Sequence, residues 1–149
     1  MAWQTPVYDR VADDPTPSKK FLNASDVNRI EGNIEYLETE CNNYFGGVTL
    51  TRSPVTSHTT ATILFKTAFN GIENNLIDIK DVVGEPTTWH TPETSRDSGD
   101  VFDYEDANNI EENLYNLKLM IDNIKTSWRY CNTFWCGYTV QMPTTEEFV

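Results

Sequence analysis

Three glutamates recur in the same local sequence, and carboxylates repeated in this way could converge as acids or as metal ligands. They belong to the motif Asn-x-Ile-Glu-x-Asn-Ile/Leu, which occurs three times at spacings of 42 and 38 residues. Its polar residues are Asn28, Glu31 and Asn33; Asn70, Glu73 and Asn75; and Asn108, Glu111 and Asn113. Di-iron carboxylate bundles pair such Glu residues with His at helical spacing, and no His follows any of these three. We therefore favour a structural role, in which the side chains hydrogen-bond across helix interfaces or hold the adjoining loops.

Each copy of the motif lies on a predicted amphipathic helix. Apolar residues at spacings of three and four share one helical face. These positions are 27, 30, 34 and 37; 69, 72, 76 and 79; and 107, 110, 114 and 117, with 121 and 124 extending the third stripe. The motif Glu and the second motif Asn fall on opposite borders of the stripe. Half-buried polar groups there cost on the order of 1–3 kcal/mol unless they are bonded, which favours structural pairing.

The helix starts can also be placed. Asn23 and Asp103 each stand three residues before an acid, Asp26 and Asp106, in the arrangement of a capping box. We predict helices over about residues 24–42, 64–82 and 104–126. The second has no such cap, so its start falls somewhere between residues 60 and 67.

Aromatic patterns flank the helices. Trp-x-Thr-Pro occurs at Trp3 and again at Trp89, which predicts a Trp on an extended arm that packs against the bundle. From 127 to 141 alternate positions are mostly aromatic, which is typical of a strand with one buried face. That face would bury against the bundle or another subunit. The residues expected at packing junctions or subunit contacts are Trp3, Trp89, Trp128, Tyr130, Phe134 and Trp135.

The whole sequence predicts one mainly α-helical domain. Its 149 residues suit a single domain, and 38% apolar with 12% aromatic residues permits a packed core. The expected order is an N-terminal arm (1–22), a small bundle of three repeated amphipathic helices with long loops, a C-terminal aromatic strand or hairpin (127–141) and a tail (142–149).

The charge balance excludes some partners. The chain has 23 Asp and Glu against 11 Lys and Arg, a net charge of −12. That excess repels nucleic acid and anionic membrane surfaces. No apolar run approaches the roughly 20 residues that span a bilayer, and the N-terminus lacks the pattern of a signal peptide. We expect synthesis in a cytoplasm, with neither nucleic acid nor membrane as a partner.

Known catalytic and metal motifs are missing from the sequence. It contains no phosphate loop, no Gly-x-Ser-x-Gly and no His-Glu-x-x-His. Cys131 and Cys136 have no second pair of ligands to complete a zinc site, and we interpret the three cysteines as reduced. The acidic stretch 97–106 lacks the register of a calcium loop; we interpret it as a solvated helix cap, with weak calcium binding as the alternative. We predict a protein without enzymatic activity, cofactor or metal.

The motif and its flanks together resemble a known class of proteins. With the N-terminal Trp-Gln-Thr-Pro-Val-Tyr-Asp-Arg (3–10) and the C-terminal Ser-Trp-Arg-Tyr-Cys-Asn-Thr-Phe (127–134), the chain is similar to small minor structural proteins of bacteriophages and prophages of Gram-positive gut bacteria. The resemblance implies a virion component of the tail or baseplate and its fibres, without catalytic residues. It also implies other phage proteins and further copies of the chain as partners. The alternatives are a host-surface module whose aromatic face binds sugar or protein, and a head-attached decoration or collar protein.

Overall fold

The computed structural model describes residues 2–12, 22–61, 66–97 and 99–133, and for 128–133 it describes the backbone alone. It contains three helices, α1 (Ala24–Tyr44), α2 (Lys66–Val83) and α3 (Tyr104–Thr133). The described residues contain no strand. The prediction of a mainly helical protein with three repeated helices is confirmed.

Two of the helices begin at the predicted capping boxes. The side chain of Asn23 accepts from the backbone N–H of Asp26 at 3.2 Å, and the Asp26 carboxylate accepts from the N–H of Asn23 at 3.0 Å. Asp103 and Asp106 repeat this exchange at 3.1 and 3.0 Å. Each exchange satisfies backbone donors that a helix start leaves unpaired. Helix α2 begins at Lys66, within the predicted interval.

The predicted apolar stripes form the core between the helices. The stripe residues at most 3% exposed are Val27, Ile30, Ile34, Leu37, Ile72, Leu76, Ile79, Ala107, Ile110, Leu114, Leu117 and Ile121. Phe69 and Ile124, also assigned to the stripes, are half-buried. Phe69 instead stacks on Phe102 with ring centroids 4.1 Å apart. Cys41 and Val83 extend the core toward the C-terminal ends of α1 and α2.

The three helices run parallel, with the motif copies at the same level. Near the N-terminal ends, Arg29 of α1 contacts Glu111 of α3 at 2.6 Å, and further along Glu40 of α1 pairs with Lys125 of α3. Gly84, just after α2, lies against Met120 of α3. A helix of 21 residues is about 31 Å long, so each connection must return that distance along the bundle. The long loops of the sequence make these returns.

The C-terminal strand prediction needs correction at its start. The strand was predicted from residue 127, but α3 continues through Thr133. Aromatic alternation does not distinguish a strand from the continuation of a helix whose preceding stripe is already established. Residues 134–141 of the predicted strand, and the tail 142–149, lie outside the described residues.

Candidate functional site: three clamped arms

Each groove between two helices holds a stretch of chain that is neither helix nor strand; in the third of these stretches residues 94–95 form a turn. We name these stretches arm 1 (residues 4–10), arm 2 (52–58) and arm 3 (90–96). All three arms have Thr or Ser at the second position, Pro at the third, and Arg or His at the seventh. Proline fixes φ and has no N–H to donate, which suits an extended chain whose hydrogen-bonding partners are side chains rather than another strand.

Every motif Asn clamps one arm residue by its backbone. Asn113 shows the arrangement: its Oδ1 accepts from the N–H of His90 at 2.9 Å, and its Nδ2 donates to the carbonyl of the same residue at 2.7 Å. Across the six pairs these distances span 2.7–3.3 Å: Asn28–His58, Asn33–Gln4, Asn70–Arg96, Asn75–Arg52, Asn108–Arg10 and Asn113–His90. Among short side chains, a planar amide offers a donor and an acceptor together, whereas a carboxylate only accepts. This double bond to one backbone residue explains why Asn recurs.

The clamps follow one another in a cycle around the bundle. Each arm starts at the second motif Asn of one helix and ends, six residues later, at the first motif Asn of the next. Arm 1 runs from Asn33 (α1) to Asn108 (α3), arm 3 from Asn113 (α3) to Asn70 (α2), and arm 2 from Asn75 (α2) to Asn28 (α1). The connectivity therefore repeats threefold, with one arm in each groove.

Glu111 is the most fully bonded of the three motif glutamates. It is completely buried and accepts from Arg10 of arm 1 at 2.7 Å, from Arg29 of α1 at 2.6 and 3.0 Å, and from the backbone N–H of Val7 at 2.7 Å. Both arginines also approach Asp26, at 3.4 and 2.8 Å. Burial lowers the pKa of Arg29, but hydrogen bonds and charge from Glu111 and Asp26 outweigh that effect and raise it. Two acids and two bases thus form a neutral cluster.

Glu31 makes the corresponding contacts with arm 2. Its Oε2 accepts from Arg52 at 2.7 Å and from the backbone N–H of Val55 at 2.6 Å, and its Oε1 lies 3.0 Å from Nε2 of His58. Gly71 gives Arg52 room to cross α2, because a Cβ at this position would lie 2.4 Å from Cδ of Arg52. The motif position that carries Arg29 on α1 is glycine on α2, and the arginine beside Glu31 comes from the arm instead.

Glu73 is the least bonded of the three. Its Oε1 accepts from Arg96 of arm 3 at 3.0 Å, while its buried Oε2 has no partner among the described residues. Arg96 also donates to Asp106 at 2.9 and 3.2 Å. Burial raises the pKa of Glu73 to about 7, with Arg96 opposing the shift. This carboxyl group therefore changes its charge near neutral pH.

The arm bases are the residues that sequence reasoning missed. Arg10, His58 and Arg96 end the three arms and each contacts the Glu of the helix that clamps it. A signal was present, because each base stands four residues after Thr-Pro or Ser-Pro. Arm 2 went unrecognised because Thr51 occupies the position of Trp3 and Trp89.

Of the six residues predicted at packing junctions or subunit contacts, the structure describes the side chains of two. Trp3 and Trp89 are half-buried against the core, as the prediction of Trp-bearing arms expects. Trp3 also meets Tyr36 edge-on, with ring centroids 5.6 Å apart. The side chains of Trp128 and Tyr130, and all of Phe134 and Trp135, lie outside the described residues.

Metal binding was the alternative considered for the motif glutamates, the acidic stretch 97–106 and the cysteines. No group of three or more His, Cys, Asp or Glu side chains there is placed to hold a metal ion. In the acidic stretch, Asp97 faces Lys66 at 3.2 Å and Asp106 pairs with Arg96. Cys41 is a buried free thiol, and burial raises its pKa to about 11, which leaves little reactive thiolate at neutral pH.

Among the described residues, no helix combines the length and the apolar character needed to cross a bilayer. No family model, curated protein or solved structure matches the sequence or the fold.

Proposed function

We propose that this protein is a non-enzymatic structural component of a bacteriophage virion, located at the tail tip or baseplate, where it links the tail to receptor-binding fibres. The observation that carries the proposal is the use of all nine motif side chains to hold arms. Each Asn is committed to an arm backbone and each Glu to an arm base. The motif glutamates recur because each one helps to hold an arm against the helices, so their recurrence does not require converging acids.

Exposed apolar side chains, some of them on the arms, support a role in docking. Among the described residues, the large apolar side chains at least 39% exposed are Tyr8, Val11, Tyr44, Val55, Val101, Tyr115 and Leu119. Tyr8 and Tyr115 are in contact with each other, and contiguous apolar side chains on a surface commonly mark protein contacts. Together with the resemblance to minor structural proteins, this favours assembly with other phage proteins and with further copies of the chain. The virion, assembled in the host cytoplasm, is the proposed location.

Quantitative mass spectrometry of purified virions tests the proposal. We expect this chain in a fixed ratio to tail proteins across particle preparations, and a phage-encoded cytoplasmic protein serves as the negative control. Absence from intact, infectious particles would contradict the proposal. Electron microscopy with a labelled chain then separates the tail or baseplate from a head-attached decoration or collar position.

A host-surface binding module is the second candidate. Tyr8 and Tyr115 form an exposed aromatic pair with ring centroids 5.7 Å apart, a surface on which a sugar ring or an apolar peptide side chain could pack. A glycan array probed with the wild type and with Tyr115→Ala, Trp128→Ala and Trp135→Ala distinguishes the two functions. A structural linker gives no sugar-dependent signal, whereas a binding module gives a signal that at least one variant abolishes.

A further inference from the structure

The three grooves differ above their arms, toward the C-terminal ends of the helices. In the α1/α2 groove, residues 45–50 continue directly from α1, and Phe45, Val48 and Leu50 pack on the core. In the α2/α3 groove, residues 84–88 continue from α2, and the carbonyl of Thr88 accepts from Asn116 at 3.2 Å. In both cases the segment that follows a helix enters the groove on the way to the next arm. In the α2/α3 groove a cavity of about 550 Å³ remains between this segment and Leu119, Met120 and Ile124 of α3.

The upper α1/α3 groove has an aromatic floor that lacks such a segment among the described residues. Its floor is formed by Trp3, Tyr36 and Tyr44, and Tyr44 is 45% exposed. Lys118 lies 5.6 Å from the ring centroids of Trp3 and Tyr36, and Lys125 lies 4.3 Å from that of Tyr44. Flexible lysine side chains therefore lie where the other two grooves hold backbone.

The cycle of connections points to the missing occupant. The segment after α1 enters the α1/α2 groove and the segment after α2 enters the α2/α3 groove, so the segment after α3 should enter the α1/α3 groove. We propose that residues 134–149 fold back and dock in the upper α1/α3 groove, over Trp3, Tyr36 and Tyr44.

The length and chemistry of this segment support the proposal. In the repeat Tyr44 corresponds to Ile124, so α3 continues past the level of Tyr44 by nine residues, about 13 Å. Roughly four extended residues span that distance, which leaves a dozen to occupy the groove. The sequence after α3 also repeats the pattern of the sequence after α1. Both contain an aromatic residue, any residue, glycine, an apolar residue, threonine and an aliphatic residue, at 45–50 and at 135–140. Gly46 and Gly47 turn the chain after α1 at φ of 85° and 101°, and Gly137 offers the same freedom after α3.

Site-specific photocrosslinking tests the proposal on the full chain. A benzoylphenylalanine replaces Tyr44, which is exposed, so the substitution leaves the core intact. Leu119 of the α2/α3 groove carries the same probe as a control. We expect the Tyr44 probe to join residues 134–149 within a monomer. The double variant Tyr138→Ser/Val140→Ser should lose that crosslinked peptide while circular dichroism stays unchanged.

Three other outcomes would overturn the proposal. Crosslinking of residues 134–149 to the Leu119 probe instead of the Tyr44 probe places the segment in the α2/α3 groove. A covalent dimer as the main product shows that a second copy covers the floor. A Tyr44 probe that captures no peptide from residues 134–149 shows that the segment does not dock over Tyr44.

Discussion

Glu111 and Glu73 occupy the same motif position on two helices, yet their surroundings differ. Glu111 accepts from two arginines and a backbone N–H, whereas Glu73 accepts from Arg96 alone and leaves Oε2 without a partner among the described residues. The repeat fixes the position of each carboxylate but not the number of arginines and N–H donors that bond to it. A buried charge is stable only when paired and hydrogen-bonded, so one motif yields an ion cluster in the first case and a group that ionises near neutral pH in the second.

The largest expected effect comes from Glu111→Gln. This change leaves the buried Arg10 and the half-buried Arg29 with Asp26 as their remaining acid, and breaking a buried pair such as Arg10–Glu111 costs about 3–5 kcal/mol. Urea unfolding should show that loss in the free energy of unfolding. The isosteric Glu73→Gln is the matched control, and equal losses in the two variants would remove the distinction between the clusters.

Loss of a clamp should cost the same in both clusters. Asn108→Leu and Asn70→Leu each leave the N–H and C=O of one arm residue without their amide partner, with an expected loss of about 2 kcal/mol apiece. Asn→Asp variants keep the acceptor but place a carboxylate oxygen against the arm carbonyl, so at neutral pH they should cost at least as much as Leu. Urea unfolding measures both series. A much larger cost at Asn108 than at Asn70 would mean that the clamps, and not the carboxylates, make the clusters different.

Glu73→Gln should change the pH dependence of stability more than stability itself. Folding raises the pKa of Glu73 from 4.5 to about 7, so the folded protein keeps a proton that the unfolded chain releases. The stability this supplies is complete below pH 4.5 and is lost as the pH rises through 7. We expect Glu73→Gln to be nearly neutral at pH 5 and to stabilise by about 1–2 kcal/mol at pH 8.

The measurement is the midpoint of urea unfolding from pH 4.5 to 8. The difference between wild type and Glu73→Gln should grow across that interval, and Arg96 should remain anchored by Asp106. A difference that is constant with pH would show that Glu73 does not titrate there.

The smallest expected effect is a gain, from supplying the missing cation. Asn109 of α3 holds the motif position of Arg29, and the cyclic order places it beside Glu73 as Arg29 lies beside Glu111. Asn109→Arg should lower the pKa of Glu73 and stabilise the protein by about 1 kcal/mol at pH 8. An NMR titration of the Glu73 carboxyl carbon measures the shift, and Asn109→Gln is the uncharged control. An unchanged pKa would contradict the cyclic correspondence.

The helices could be predicted from sequence because their signals are local. The stripe around Ile34 and the caps at Asn23 and Asp103 are set by residues three or four apart. The predicted end of α3, near residue 126, was wrong because we assigned residues 127–133 to a strand, whereas these residues continue the helix. The role of the motif residues could be predicted only as a choice between helix contacts and loop contacts.

The clusters themselves could not be predicted, because their partners are distant in sequence. Arg10 and Glu111 are 101 residues apart, and the clamps bind arm backbone, which leaves little trace in the arm side chains. Arm 2 shows the consequence: without a Trp it resembles an ordinary Ser- and Thr-rich loop. Recognition of the cycle required the pairing of each arm with two helices.

The most direct test compares one backbone amide in each arm by residue-resolved hydrogen exchange. The N–H groups of Val7 and Val55 donate to Glu111 and Glu31, while the corresponding N–H of Glu93 has no acceptor among the described residues. We predict strong protection at Val7 and Val55 and near-intrinsic exchange at Glu93. Unprotected amides at Val7 and Val55, or equal protection at all three, would contradict the claim that the motif carboxylates hold the arms.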